Sequence, residues 1–203
     1  MKFKDFNNID IENAVGVSPT GGDTKLLAQE ASKIHFNSAV EIGTGNGFVP
    51  IYLKTLGYSC DGTDINPLAV ECAKKNADRN NAKNSFYVSN LFEQVRGTYD
   101  LILFNPPFGN AGTSSNAKYL EIIKSLIPKE NIIIAKLAFF FIKKQRAQLV
   151  VEFLKKVEPF LNGNGKILIW LHESEIPLAG TFKIKIVGDL GKLDVHLVLL
   201  EKK

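Results

Sequence analysis

Ala39-Val40-Glu41-Ile42-Gly43-Thr44-Gly45-Asn46-Gly47 is a short apolar strand that runs into a turn with glycine at every second position. Glycines there let the chain bend tightly and come close to a ligand. Downstream, the pattern predicts a helix from about Phe48 to Leu56, a strand over Ser59–Thr63 and a helix from Pro67 to about Arg79, with proline in its first turn. Further strands are expected over Ser85–Val88 and Asp100–Phe104. The Leu-Ile-Leu-Phe run of the latter suits a strand buried on both faces. This alternation predicts an α/β fold: a Rossmann-like, seven-stranded, mostly parallel sheet with helices on both faces.

Upstream, Gly21-Gly22 precedes a helix expected from about Asp23 to His35, capped by Asp23 or Thr24, with Leu26, Leu27 and Ala31 as its apolar stripe. Toward the C-terminus, Gly109 to Asn116 reads as a loop, Lys118 to Ile127 as a helix stopped by Pro128, and Ile132 to Phe160 as helix-rich. In that last stretch Ala147, Val150, Val151, Leu154 and Val157 form a buried face, and Phe139-Phe140-Phe141-Ile142 reads as core. Asn162-Gly163-Asn164-Gly165 reads as a turn before a strand over Lys166–Leu171. Strands over Thr181–Val187 and Leu193–Leu200, joined by Gly188-Asp189-Leu190-Gly191, would close the sheet as an antiparallel hairpin. One domain, 1–203, is expected: a lead-in and helix (1–37), a ligand-binding half (38–108), a helical insertion (109–165) and closing strands (166–203).

Composition bounds the function. The 203 residues are 45% hydrophobic and 23% charged, as in globular proteins. A net charge of +4, from 25 basic and 21 acidic residues, admits an anionic partner but is modest for a dedicated nucleic-acid module. Cys60 and Cys72 lack metal spacing, which implies a reduced, cytoplasmic protein without a zinc site. Met1 to Asn7 lacks the apolar core of a signal peptide, and the longest apolar run, Ile132 to Ile142, is interrupted by Lys136 and too short to span a bilayer. No membrane association is expected.

The glycine turn is one half of a ligand site. Asp64, in Gly62-Thr63-Asp64-Ile65-Asn66-Pro67, ends the second strand about 20 residues beyond the first glycine, where an acid can hold two ribose hydroxyls. A dinucleotide fingerprint would need its third glycine where Phe48 stands. Glu41 would repel a pyrophosphate, yet it suits the amino group and sulfonium of S-adenosylmethionine. The residues therefore point to S-adenosyl-L-methionine rather than NAD, held by Glu41, Gly43, Thr44, Gly45, Gly47, Asp64 and Ile65.

Asn105-Pro106-Pro107-Phe108 follows the fourth strand directly. An amide or exocyclic amino nitrogen is a poor nucleophile because its lone pair is delocalised. Acceptors around its two hydrogens draw it toward tetrahedral geometry. The Asn105 side chain and the Pro106 carbonyl are two such acceptors, stiffened by Pro106 and Pro107, and Phe108 offers a flat stacking face. Positioning then carries the transfer, with no general base.

In these motifs the stretch Val17 to Gly109 resembles the class I methyltransferases with an Asn-Pro-Pro-aromatic segment: HemK-type protein glutamine N5-methyltransferases, adenine-N6 methyltransferases and ribosomal RNA guanine-N2 methyltransferases. The resemblance implies catalytic Asn105, Pro106, Pro107 and Phe108, with Asn105 also near the cofactor, and a protein glutamine or an RNA or DNA base as acceptor. Pro19 to Leu27 looks like the segment before the glycine turn in the glutamine branch, where an acid-Thr pair opens a helix; Asp23-Thr24 is equally readable as an ordinary cap. Phe108, where the glutamine branch more often has tyrosine, leaves the base enzymes open. Relatives place Asp where this chain has Asn90, so Asn90 is either the adenine contact or a solvated turn residue. The stretch Ala117 to Phe160 could cover the cleft, seat a small partner subunit or form a homodimer. A non-catalytic module of the same fold is the reading from another class, disfavoured by the intact Glu41, Asp64 and Asn105.

His35, His172 and His196 show no metal spacing; His196 reads as structural, and His172-Glu173 as peripheral to a substrate. Lys143-Lys144-Gln145-Arg146 reads as a solvated helix face, with RNA contact as the sharper alternative.

Overall fold

The computed structural model describes residues 6, 8–107, 132–191 and 194–203, with the backbone alone over 132–143. In chain order it places α1 (Gly22–Ala31), β1 (Ala39–Ile42), α2 (Phe48–Thr55), β2 (Cys60–Asp64), α3 (Pro67–Arg79), β3 (Phe86–Val88), β4 (Tyr99–Phe104), α4 (Ile132–Lys156), β5 (Leu161–His172), β6 (Phe182–Asp189) and β7 (Val195–Lys202). Short 3₁₀ segments cover Glu158–Phe160 and Glu173–Ala179. The expected helix over 118–127, the loop from 109 and Phe108 itself lie outside the described residues.

Among the described residues seven strands form one sheet, in the order β3-β2-β1-β4-β5-β7-β6. The pairs from β3 through β5 are parallel, and β7 runs antiparallel to both neighbours, which confirms the mostly parallel sheet and its closing hairpin. β4 shows why both faces are covered. Leu101 and Leu103 pack with Leu26 and Leu27 of α1 and Phe48 and Leu53 of α2. Ile102 and Phe104 pack with Val150 and Phe153 of α4 and with Val157 just beyond its end, and the Phe104 and Phe153 rings stack at 4.5 Å. Phe153 is wholly buried and was missing from the expected face of α4, while Ala147, Val151 and Leu154 are only half-buried. The chain leaves β1 toward β2 on one side and returns to β4 on the other. The carboxyl ends of β1 and β4 therefore form the switch point at which open α/β sheets bind ligands.

Four local expectations are corrected. α1 ends at Ala31 rather than His35, because Lys33 N–H turns back to Glu30 O and Ile34 N–H to Ala31 O, tightening the chain so that Phe36 is buried and stacks on Tyr58 at 4.6 Å. Its N-cap is Gly21, without a side-chain cap bond, so neither Asp23 nor Thr24 caps it. The expected turn at Asn162–Gly165 lies inside β5 as a bulge: Tyr99 pairs with Leu161 and Leu101 with Lys166, and Asn162 Nδ2 donates to Asp100 Oδ1 at 2.6 Å. Gly188 and Asp189 likewise belong to β6 instead of the hairpin turn.

Candidate active site

The turn after β1 is built by its glycines. Gly47, the N-cap of α2, sits at φ +81°, and a Cβ there would stand 2.8 Å from Ala73 Cβ of α3. Only glycine accepts both the left-handed backbone and the close helix. Gly43 and Gly45 also have positive φ. Asp64 at the end of β2 fastens this turn: Oδ2 accepts from Gly45 N–H and Oδ1 from Asn66 N–H, both at 2.9 Å. Burial raises the Asp64 carboxyl from its ordinary range, against the lowering pull of those N–H groups.

Glu41 is buried in β1 and accepts from Thr44 Oγ1 at 2.7 Å. Burial pushes its carboxyl up to about 8, and the Asp64 charge adds to the rise. Two acids whose ionisation is disfavoured in this way form a site that gains from a cationic or hydroxyl-bearing ligand.

Glu41, Gly43, Thr44, Gly45 and Asp64 line a cleft of about 420 Å³ that also reaches Ile65, Asn90, Asn105, Pro106 and Pro107, whereas Gly47 faces α3 and lies outside it. The structure thus brings the glycine turn and the acceptor motif to one space. Asn90 is exposed on its rim, with Nδ2 donating to Glu93 Oε1 at 2.9 Å, and Ile65 is also exposed. Leu91, at φ +48°, turns the chain into the cleft beside them, over a buried Ser89 whose Oγ donates to Leu91 O and accepts from Gln94 N–H.

Asn105 Nδ2 donates to Asp23 Oδ2 at 2.8 Å. Its Oδ1 is buried and has no hydrogen-bond partner among the described residues. An orphaned amide oxygen in a ligand-sized cleft is an acceptor kept open, because a buried acceptor without a donor costs about 1–3 kcal/mol.

Sequence reading missed the support around these groups. Asn46 Nδ2 donates to Asn13 Oδ1 and Thr20 Oγ1, each at 2.9 Å, and Asn46 O accepts from Asn76 Nδ2, so one asparagine ties the lead-in segment and α3 to the glycine turn. Ser18, Pro19 and Thr20 thereby form one wall of the cleft. Arg146 is a larger correction. It is buried instead of lying on a solvated face, pairs with Glu175 at 3.0 Å, and donates to the carbonyls of Pro106 and Pro107. Burial lowers the Arg146 pKa and Glu175 opposes that shift. No local signal could reveal this, since Glu175 lies 29 residues away. His172 caps the segment that carries Glu175, accepting from Ser174 N–H through Nδ1 at 3.2 Å. His196 faces Asp189 at 3.7 Å in the β6–β7 pair.

Among the described residues no helix is long and apolar enough to cross a membrane, and no group of three or more His, Cys, Asp or Glu is placed to hold a metal ion.

Residues 18–129 match the model of a family described as the methyltransferase small domain. A candidate protein N5-glutamine methyltransferase of Methanocaldococcus jannaschii is 44% identical over 87 residues, which cover 42% of this chain and 44% of that protein. The ribosomal RNA small subunit methyltransferase C of Haemophilus influenzae is 30% identical over 104 residues, covering 50% of this chain and 31% of that protein. The chain therefore spans less than half the length of either relative. Among solved structures, a methyltransferase from Pyrococcus furiosus superposes with a TM-score of 0.67 over 98% of this chain and 91% of that one, at 19% identity, a likeness of fold.

Proposed function

This chain belongs to the methyltransferase small-domain family, and on that premise we propose that it is an S-adenosylmethionine-dependent N-methyltransferase whose acceptor is the side-chain amide of a protein glutamine. The observation that carries the reading is the buried, unpartnered Asn105 Oδ1 at the cleft that Glu41 and Asp64 share.

The residues present fit the cofactor. Glu41, buried and short of compensation, suits an ammonium group. Asp64 presents carboxylate oxygens to vicinal hydroxyls, and Gly43, Thr44 and Gly45 leave room for close backbone approach, while Gly47 serves the site only by packing the turn against α3. Asn90 and Ile65 on the rim would meet the adenine. When bound, S-adenosylmethionine supplies an electrophilic methyl group on sulfur. The protein's part is to hold the acceptor nitrogen. Asn105 Oδ1 accepts one N–H and the Pro106 carbonyl the other, which weakens amide conjugation and frees the lone pair. The nitrogen is then poised for in-line attack, positioning supplies the rate, and the methylated nitrogen gives up one N–H proton to water. Phe108, outside the described residues, would stack on the amide plane.

Glutamine is favoured by two observations. The relative with 44% identity carries that activity in its name. Asp23, which opens α1 in the segment resembling the glutamine branch, does not cap the helix but grips Asn105. An amino group of a nucleic-acid base, adenine-N6 or guanine-N2, is the second reading, supported by the ribosomal RNA relative. A cytoplasmic setting fits the buried, free Cys60 and Cys72. A small partner subunit or second copy would find exposed apolar side chains at Val15, Ile65, Leu68 and Val88. These lie at one corner, where Asn66 Nδ2 donates to Gly16 O and Asp64 pairs with Val88.

The test is transfer of tritiated methyl to a cell extract, followed by separate protease and nuclease digestion. Release of the label by protease, as N5-methylglutamine on hydrolysis under mild conditions, is expected. Release by nuclease would move the assignment to a base. No incorporation, together with no S-adenosylhomocysteine binding by calorimetry, would overturn methyl transfer itself.

A further inference from the structure

Pro106 and Pro107 have no N–H, so the segment that carries the second acceptor can be anchored only through its carbonyls, by a donor brought from elsewhere. That donor is Arg146. Its Nη1 lies 2.7 Å from Pro106 O and 3.2 Å from Pro107 O. Nη2 donates to Trp170 O at 2.9 Å and to Glu175 Oε2 at 3.1 Å, and Nε donates to Glu175 Oε1 at 3.0 Å. Glu175 Oε2 also accepts from His172 N–H at 2.8 Å, so the carboxylate is itself fixed.

The bonds close into a circuit. Trp170 Nε1 donates to Asp23 O at 3.1 Å, and Asp23 Oδ2 holds Asn105 Nδ2 at 2.8 Å. Asn105 and Pro106 are adjacent in the chain. The two oxygens assigned to the substrate nitrogen therefore hang on one loop of hydrogen bonds that runs through Asp23, Trp170 and Arg146. We propose that Arg146 is a positioning residue for methyl transfer, orienting the Pro106 carbonyl relative to Asn105 Oδ1 while Glu175 compensates its charge; this rests on the methyltransferase reading above.

The chemistry favours arginine at this point. A planar fork of donors sets the orientation of two carbonyls at once, which the point charge of lysine does not. A bare cation would also draw electron density from Pro106 O and weaken its second hydrogen bond. The bidentate carboxylate removes that penalty. Stability alone is a poor reason for such a pair, because burying two charges costs roughly what their attraction returns, and apolar replacements of similar volume are often neutral.

That last point supplies the test. The double variant Arg146→Met/Glu175→Met and the single variant Arg146→Lys are compared with wild type in three measurements: thermal melting, S-adenosylhomocysteine affinity by calorimetry, and the rate of tritiated-methyl incorporation into extract at saturating cofactor. The expected result is a folded double variant with unchanged affinity and a rate about tenfold to a hundredfold lower, the scale of a small misplacement of a reacting group. Arg146→Lys keeps a cation beside Glu175 and should lose a similar factor. Millimolar guanidinium, but not sodium, should partly restore an Arg146→Ala variant. Wild-type rates in the folded double variant or in Arg146→Lys would overturn the positioning role and leave the methyltransferase reading standing. An inactive wild type would overturn that reading first.

Discussion

Asn105 Nδ2 donates to Asp23 Oδ2 at 2.8 Å, joining the end of β4 to the first turn of α1 across 82 residues. The bond decides which way the amide faces. With nitrogen held by a carboxylate, the oxygen is the atom left for a ligand, and it is the oxygen that is buried without a partner. Asn105→Ala should lower methyl transfer about 10²- to 10³-fold, by analogy with removal of one preorganised transition-state hydrogen bond. S-adenosylhomocysteine affinity should stay as in wild type. Asp23→Ala frees the amide to rotate and should cost about tenfold in rate. Single-turnover labelling beside calorimetry separates the two effects, and equal loss of rate and affinity in Asn105→Ala would remove its acceptor role.

Asp64 should behave in the opposite way. It fastens the glycine turn through Gly45 N–H and Asn66 N–H and faces the same cleft. Asp64→Ala should weaken S-adenosylhomocysteine binding about 10- to 100-fold, since hydrogen bonds to a charged group are worth about 1.5–3 kcal/mol. Calorimetric titration measures it, and an unchanged affinity would exclude Asp64 from the cofactor site.

Glu41 imposes a pH dependence of defined sign. Its folded-state carboxyl titrates at about 8 against an ordinary value of 4.5, so the native state binds the proton more tightly than the unfolded chain. The stability this contributes is complete below the ordinary value and is lost as pH rises through about 8. Asp64, also raised, adds the same sign. Urea midpoints of the ligand-free protein should therefore fall across that window, and the slope should flatten in Glu41→Gln. If a cationic cofactor meets ionised Glu41, binding at neutral pH releases a proton. Calorimetry in two buffers of different ionisation enthalpy would show the release, and its persistence in Glu41→Gln would exclude Glu41 as its source.

Gly47→Ala tests the geometry of the turn. A Cβ at φ +81° would meet Ala73 Cβ at 2.8 Å. A left-handed backbone costs about 1–2 kcal/mol and overpacking about 1–3. Denaturant unfolding should show a loss of about 2–5 kcal/mol, and a stability equal to wild type would mean that α3 moves away without resistance.

Much of the fold was legible because its signals are local. Asn66 Oδ1 caps α3 by accepting from Leu68 N–H, and Pro67 opens the helix, so the start of Pro67–Arg79 could be read from neighbours in the chain. β1 was bounded by its apolar run and the glycine that follows. The bulge at Asn162–Gly165 was not legible, because the same residues make a good isolated turn. Only the pairing of Asn162 with Asp100, itself accepting from Asn37 and Ser38 N–H, draws them into β5.

The candidate site divides along the same line. By itself the sequence determined the residue types and their order: three glycines after a strand, an acid after the next, and Asn-Pro-Pro after the fourth. Bond geometry and backbone conformation act over a few residues, so those motifs carry their chemistry wherever the chain places them. Tertiary structure decided which groups are free to act. Asp23 turned out to hold Asn105 in place of capping α1, and Arg146 to hold the Pro106 carbonyl in place of facing water. Both are bonds between buried or half-buried groups brought together by the packing of α1 and α4 on the sheet. Removing water from a donor compels it to find an acceptor in the protein, and which acceptor lies within reach is set by the folded chain.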